Sequence, residues 1–251
     1  MSGHSKWSTI KRKKGAADAK RGQLFTRLAR EIVIAAREGG GDMETNFRLR
    51  LAVERARGLN MPKENIERAI KRGTGEGKDA AQIEEITYEG YAPHGIALMI
   101  ECLTENRNRT VAELRHILTR TGGSMGEVGS VSWQFDRVAY FGIKGEGIDF
   151  DSIFELALEG GADDIDQDEE GYIEIFAPVD AFKNLSDQLA SAKITADEAE
   201  VRRVPKQELA LDTEKTLKVM RLIEDLEDLD DVQNVYSNLE FSEEALAAME
   251  E

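Results

Sequence analysis

The sequence predicts a multidomain α+β protein. It has an N-terminal three-helix bundle followed by two α+β domains, the ferredoxin-like one inserted in the other. Three observations predict this. The apolar period changes from helical to alternating near residue 80. Between residues 137 and 205 the order βαββαβ can be read, as in a split βαβ sandwich. Residues 81–136 give strands and one helix without a closing αβ pair, and residues 206–251 supply that pair. A chain of 251 residues fits two or three domains. The expected division is therefore 1–80, 81–136 with 206–251, and 137–205.

The elements follow in order. Residues 23–38, QLFTRLAREIVIAARE, place Leu24, Leu28, Ile32 and Ala36 on one face and Arg27, Arg30 and Arg37 on another. Gly39, Gly40 and Gly41 close this helix, because glycine accepts the left-handed conformation of a helix end. A second helix runs from about Asn46, with Leu49, Ala52, Val53 and Ala56 in one stripe. A third starts near Pro62 and carries Ile66, Ala69 and Ile70. Residues 73–82 read as a linker. ITYEGYA and GIALMIECLT are strands around a turn containing Pro93, RTVAELRHILTRTGG is a helix from Arg109, and SVSWQF is a further strand. In the inserted unit, VAYFGIK, residues 162–165, YIEIFAP and AEVRRV are strands, with helices in FDSIFELALEGG and VDAFKNLSDQLASA. Beyond it, KTLKVMRLIEDLEDL is a helix and VQNVYS a final strand.

Composition narrows the function. Cys102 is the only cysteine, and His4, His94 and His116 are widely spaced, so neither an intrachain disulfide nor a metal site is expected. There is no run of eighteen apolar residues and no apolar leader at the start, so a cytoplasmic protein without a membrane partner is expected. The charge is divided unevenly. Residues 1–80 hold 19 Lys and Arg against 10 Asp and Glu, a net of +9, while the rest holds 14 against 39, a net of −25. Such a sign change points to separate surfaces with separate partners.

Several motifs fail on their context. GGSMG at Gly122 matches a nucleophile elbow, but a helix precedes Ser124, a strand follows, and no histidine lies beyond His116. GTGEGKD lacks the first glycine and the final hydroxyl residue of a phosphate loop. DDIDQDEEG lacks the twelve-residue calcium loop. The βαββαβ unit has the order of RNA-recognition modules, yet its third strand carries Glu174 between Tyr172 and Phe176, and residues 137–205 carry a net of −11. No acid/base, nucleophile or metal constellation remains, so neither an enzyme nor a cofactor is expected.

The basic end remains. Residues 1–37 carry ten Lys and Arg against Asp18 and Glu31. A solvated helix face with a loose tail accounts for the arginines. It accounts less well for Trp7 and Ile10 among the lysines. A basic arm with an aromatic neutralises phosphates and stacks on a base or sugar. The contact candidates are Lys6, Trp7, Lys11, Arg12, Lys13, Lys14, Lys20, Arg21, Arg27 and Arg30. Tyr88, Tyr91, Asn106, Arg107 and Arg109 read equally as a second functional surface or as a hairpin turn and a helix start.

The stretches GHSKW, IKRKKGAADAKRGQLFTRLAREI, GGGD, YEGYAPHG, NRNRT and TGGSMGEVGSVSW, in this order, closely resemble the YebC/PmpR family. The resemblance weakens across the acidic inserted unit. It implies the three-domain architecture above and a regulator of gene expression without catalytic activity or cofactor. Some members of that family look like DNA-binding transcriptional regulators. Others, mitochondrial relatives included, look like translation factors acting at the ribosome. The expected function is a nucleic-acid-binding regulator of the transcriptional type. A ribosome-associated translation factor contacting ribosomal RNA, its acidic domains facing basic proteins, is the alternative. A protein-interaction scaffold without nucleic acid is the second.

Overall fold

A computed structural model describes residues 18–76, 83–145, 147–168 and 171–250. They form two compact units. One takes in the elements up to Gln134 together with those from Pro205 onward, and the other is Phe135–Val204.

In the first unit, α1 (Asp18–Gly39), α2 (Phe47–Gly58) and α3 (Lys63–Gly73) pack as a bundle. Helix α1 starts six residues before its apolar period begins at Leu24, so the sequence pattern understates its length. Ile32, Val33, Ile34, Ala35 and Ala36 are all buried, so this stretch of α1 is enclosed on every side. Leu49, Ala52, Val53 and Ala56 of α2 and Ile66 and Ala69 of α3 complete that core, each large aliphatic contributing about 1.5–3 kcal/mol by leaving water.

Asn46 joins two helix ends. Its side-chain oxygen accepts from the Leu49 N–H at 3.0 Å and caps α2, while its amide donates to the carbonyls of Ala35 and Gly40 at 2.7 Å each. Its side chain fills the space where a Cβ on Gly39 would stand, 2.6 Å away, which is why a residue without one sits there. Pro62 precedes α3 and Asn60 takes φ 60° in the four-residue turn between α2 and α3.

The bundle core continues into the α+β part through Ile83 and Leu103. There β1 (Glu84–Tyr91), β2 (Ala97–Thr104), β3 (Ser124–Met125) and β8 (Val232–Ser237) form a sheet of order β3-β1-β2-β8. All its pairings are antiparallel: β1 with β2, β1 with β3, and β2 with β8. Helices α4 (Arg107–Thr121) and α7 (Thr213–Glu227) cover one face through Leu114, Leu118, Val219, Leu222 and Ile223, packed against Leu98, Ile100 and Cys102. Gly122, at φ 86°, and Gly123 close α4 with hydrogen bonds back to Thr119 and Leu118. Gly122–Gly126 is therefore a helix end leading into β3, not a nucleophile elbow.

One expectation fails. SVSWQF is not a strand: Ser132–Gln134 is a 3₁₀ turn, and β4 begins only at Phe135. The N–H groups of Val131 and Ser132, which a strand would need for its ladder, donate instead to the buried carboxylate of Glu89.

The second unit contains β4 (Phe135–Lys144), α5 (Phe150–Gly160), β5 (Asp164–Gln167), β6 (Tyr172–Pro178), α6 (Phe182–Ser191) and β7 (Glu198–Pro205). Its sheet order β5-β6-β4-β7 is that of a ferredoxin-like βαββαβ sandwich. Phe141 faces the helices, with its ring 4.8 Å from that of Phe182. On the opposite face Tyr140 donates to Glu174 at 2.8 Å and lies under the Arg202 guanidinium, which pairs with Glu198 and Glu200. The chain ends with α8 (Glu243–Glu250), a helix the sequence pattern does not predict.

Candidate nucleic-acid interface

The basic domain is a helical scaffold whose charges divide into paired and unpaired sets. Lys6, Trp7, Lys11, Arg12, Lys13 and Lys14 lie outside the described residues. Lys20 and Arg21 lie in the first turn of α1, their side chains outside the described ones. Arg27 is half-buried on α1.

Arg30 is placed differently. Its side chain is 14% exposed, 3.0 Å from the carboxylate of Asp231, and it donates to the Asp230 carbonyl. Asp231, in the turn before β8, is itself buried and binds Arg109 at 2.7 Å, the Thr110 hydroxyl at 2.7 Å and the Thr104 hydroxyl at 3.1 Å. Burial alone would raise this carboxyl, but Arg109, Thr110, Arg30 and Thr104 hold it below the usual carboxylate range. The NRNRT segment is thereby accounted for locally. Asn106 caps α4 by accepting from the Arg109 N–H, Arg109 and Thr110 bind Asp231, and Arg107 stays exposed.

Other cations of the bundle are also paired. Arg48 bridges Glu38 and Glu85, Arg72 meets Glu105 at 2.7 Å, and Arg37 donates to the Ile83 carbonyl at 2.7 Å. Arg57, Arg68 and Lys71 are different: among the described residues they are exposed cations with no ion pair. Arg68 and Lys71 share one face of α3, three residues apart. Sequence reasoning did not single out these three. The signal was present, since Ile66, Ala69 and Ile70 set the inward face of α3 and leave Arg68 and Lys71 outward. Which bundle cations meet a carboxylate was not readable.

Of the second candidate surface, Tyr91 donates to the Ser130 carbonyl at 3.1 Å, and Tyr88 packs half-buried against the sheet core. Burial raises the Tyr88 hydroxyl above its ordinary range. The structure thus brings Tyr91 to the loop after β3, and Arg109 to Asp231 and Arg30. In the ferredoxin-like unit, Tyr172 and Phe176 are buried and Glu174 lies between them, so the base-stacking face of an RNA-recognition module has no counterpart there. Among the described residues no group of His, Cys, Asp and Glu is placed to hold a metal ion, and no helix is long and apolar enough to cross a membrane.

Comparison with known proteins agrees with this architecture. Residues 5–76 match the model of the TACO1/YebC protein N-terminal domain, and residues 83–239 match that of the TACO1/YebC second and third domain. A probable transcriptional regulatory protein of Chlorobium chlorochromatii is 50% identical over 251 residues, all of both chains. One from Geotalea uraniireducens is 50% identical over 249 residues, 99% of this chain and all of that one. The crystal structure of a conserved hypothetical protein from Aquifex aeolicus superposes with a TM-score of 0.82 at 41% identity, covering 90% of this chain and 93% of the other. With both models matched in order and half the residues shared with full-length relatives, this chain belongs to the TACO1/YebC family.

Proposed function

We propose that this chain is a nucleic-acid-binding regulator of gene expression that docks on the phosphate backbone through its basic N-terminal domain. The names of its relatives, probable transcriptional regulatory proteins, suggest duplex DNA as the target. The observation that carries the docking is the set of cations Arg57, Arg68 and Lys71, exposed and without an ion pair among the described residues, on the same domain as the basic arm. Lysine and arginine contacts to phosphate release counterions and fix position without reading sequence. Arg30, held by Asp231, contributes less to such a surface than Lys11, Lys13, Lys14 and Lys20. The test is reversal of those four lysines to glutamate, with duplex affinity followed against salt. Weaker binding with a shallower slope supports the reading, and an unchanged slope refutes it.

A second reading is a translation factor bound to ribosomal RNA. The start of α3 favours it: after a four-residue turn from α2, its first turns present Glu64 and Glu67 to solvent. A helix that reads a major groove puts its N-terminal residues at base edges between phosphates, where acids are repelled. Co-sedimentation with ribosomes under excess competitor duplex separates the two. Pelleting that survives the duplex and is abolished by the lysine reversals assigns the ribosome, and release by a specific duplex assigns transcription.

A further inference from the structure

We propose that the loop of residues 126–134 is a base-stacking element, in which Trp133 packs against an unpaired nucleobase of the nucleic acid held by the basic domain. The proposal rests on the nucleic-acid reading above and adds a contact of a different physical kind. Trp133 is 67% exposed, and Val128, in the same loop, is 96% exposed. Exposed rings on loops are common, but this loop is rigidly built. Glu89, buried in β1, accepts from the N–H groups of Gly129 and Val131 at 2.7 Å and of Ser132 at 2.9 Å, while the Glu89 carbonyl accepts from the Gly126 N–H at 2.8 Å. Val131 is wholly buried and anchors the loop. The Ser130 carbonyl accepts both from the Tyr91 hydroxyl at 3.1 Å and from the Trp133 indole N–H at 3.0 Å, which orients the exposed ring.

A ring fixed before it binds loses little conformational entropy on binding. The nature of the partner follows from what surrounds it. The loop carries one charge, Glu127, and no cation, so it does not hold phosphate. Its apolar exposure is Trp133 and Val128, too little to form the core of a protein–protein interface, which takes about 800 Å² per partner. Stacking on a single base needs only one aromatic face, and the base must be unpaired, because both faces of a duplex base are already stacked. Phosphate docking by the bundle and base stacking by the loop then divide the work between charge and ring.

The experiment uses the full chain with Trp7→Phe, leaving Trp133 as the sole tryptophan, titrated with a short unpaired oligoribonucleotide, its deoxy counterpart and a duplex. The single strands are expected to quench Trp133 emission and the duplex to leave it unchanged. Quenching by both single strands alike assigns a stack that ignores the 2′-hydroxyl, and quenching by RNA alone assigns an RNA site. In a second series with Trp7 intact, Trp133→Ala lowers single-strand affinity roughly five- to a hundredfold with the salt slope unchanged, and Trp133→Phe recovers most of it. Unquenched emission, with Trp133→Ala binding like the parent, overturns the stacking element. If the lysine reversals still abolish binding in that case, the nucleic-acid reading survives it. A parent chain that binds none of the three probes overturns both. Should Trp133→Ala unfold, the quenching series decides alone.

Discussion

One guanidinium nitrogen of Arg109 lies 2.8 and 2.7 Å from the two carboxylate oxygens of Asp231. The pair is asymmetric in exposure: the Asp231 side chain is 1% exposed and that of Arg109 is 47%. Arg30, from the helical bundle, reaches the same carboxylate. Asp231 therefore ties α1, α4, the end of β2 and the turn before β8 at one point. Asp231→Asn keeps the shape but removes the charge that Arg109 and Arg30 pair with and turns an amide N–H₂ toward a cluster of donors, so at least one donor loses its acceptor. The expected loss is about 3 kcal/mol of stability, read from denaturant unfolding. Arg109→Ala, at the exposed end, costs about 1 kcal/mol.

Arg30→Ala separates structure from binding. Its guanidinium is mostly buried against Asp231 and the Asp230 carbonyl, so the variant loses about 1–2 kcal/mol of stability. Its salt slope for nucleic acid stays that of the parent. The reversed lysines of the arm show the opposite pattern, with a shallower slope and an unchanged melting temperature. Melting curves and salt titrations on the two variants check this together.

The acid limb of stability follows from two buried carboxyls. Asp231 is held below the ordinary range as described. Burial would raise Glu89, but the N–H groups of Gly129, Val131 and Ser132 bring it lower. A carboxyl with a depressed folded pKa contributes its full stability above its unfolded value, about 4, and loses it as pH falls through the folded value. Unfolding from pH 7 down to pH 2 is therefore expected to show stability level at the neutral end and falling below about pH 4. Asp231→Asn and Glu89→Gln each start lower and flatten that fall. A parental curve of unchanged steepness in both variants sinks the assignment.

Much of the fold was legible because its signals are local. Asn46, Pro62 and the glycines after Glu38 mark helix ends with chemistry that acts within a few residues. The period change near residue 80 and the βαββαβ order needed only pattern. The loop after β3 was misread for the converse reason. Val131, Trp133 and Phe135 alternate like a strand, but their segment is shaped by a carboxylate about forty residues earlier. The site was legible as a charge and not as a geometry. Arg27, Arg30 and Arg37 look alike on a helical wheel, yet Arg30 meets the carboxylate of Asp231 some two hundred residues on, and no periodicity encodes that.

Glu89→Gln tests how the loop is held. Glutamine replaces one acceptor oxygen with an N–H₂ group facing backbone donors, so at least one of the three N–H bonds is lost, at about 2 kcal/mol. Amide exchange of Gly129, Val131 and Ser132 should accelerate well above that of the α4 amides. Gly129→Ala disturbs the same loop from within, since Gly129 has φ 88°, which an L side chain adopts only with strain. Parental exchange rates in both variants would mean that the carboxylate does not shape the loop.

The exposed cations of the bundle make the last prediction. If Arg57, Arg68 and Lys71 touch phosphate, their combined reversal to glutamate removes up to three contacts. Each phosphate neutralised contributes about 0.9 to the slope of log K against log salt on duplex DNA and about 0.7 on a single strand. The triple variant should therefore lower the slope by up to roughly 2.7 on the one and 2.1 on the other. Its stability should stay within about 0.5 kcal/mol of the parent, because these side chains are exposed and lack ion pairs among the described residues. A partial change in slope counts the contacts that are made. A parental slope on both probes would place the docking surface on the arm alone, and the bundle would then serve to position Lys20 and the residues before it.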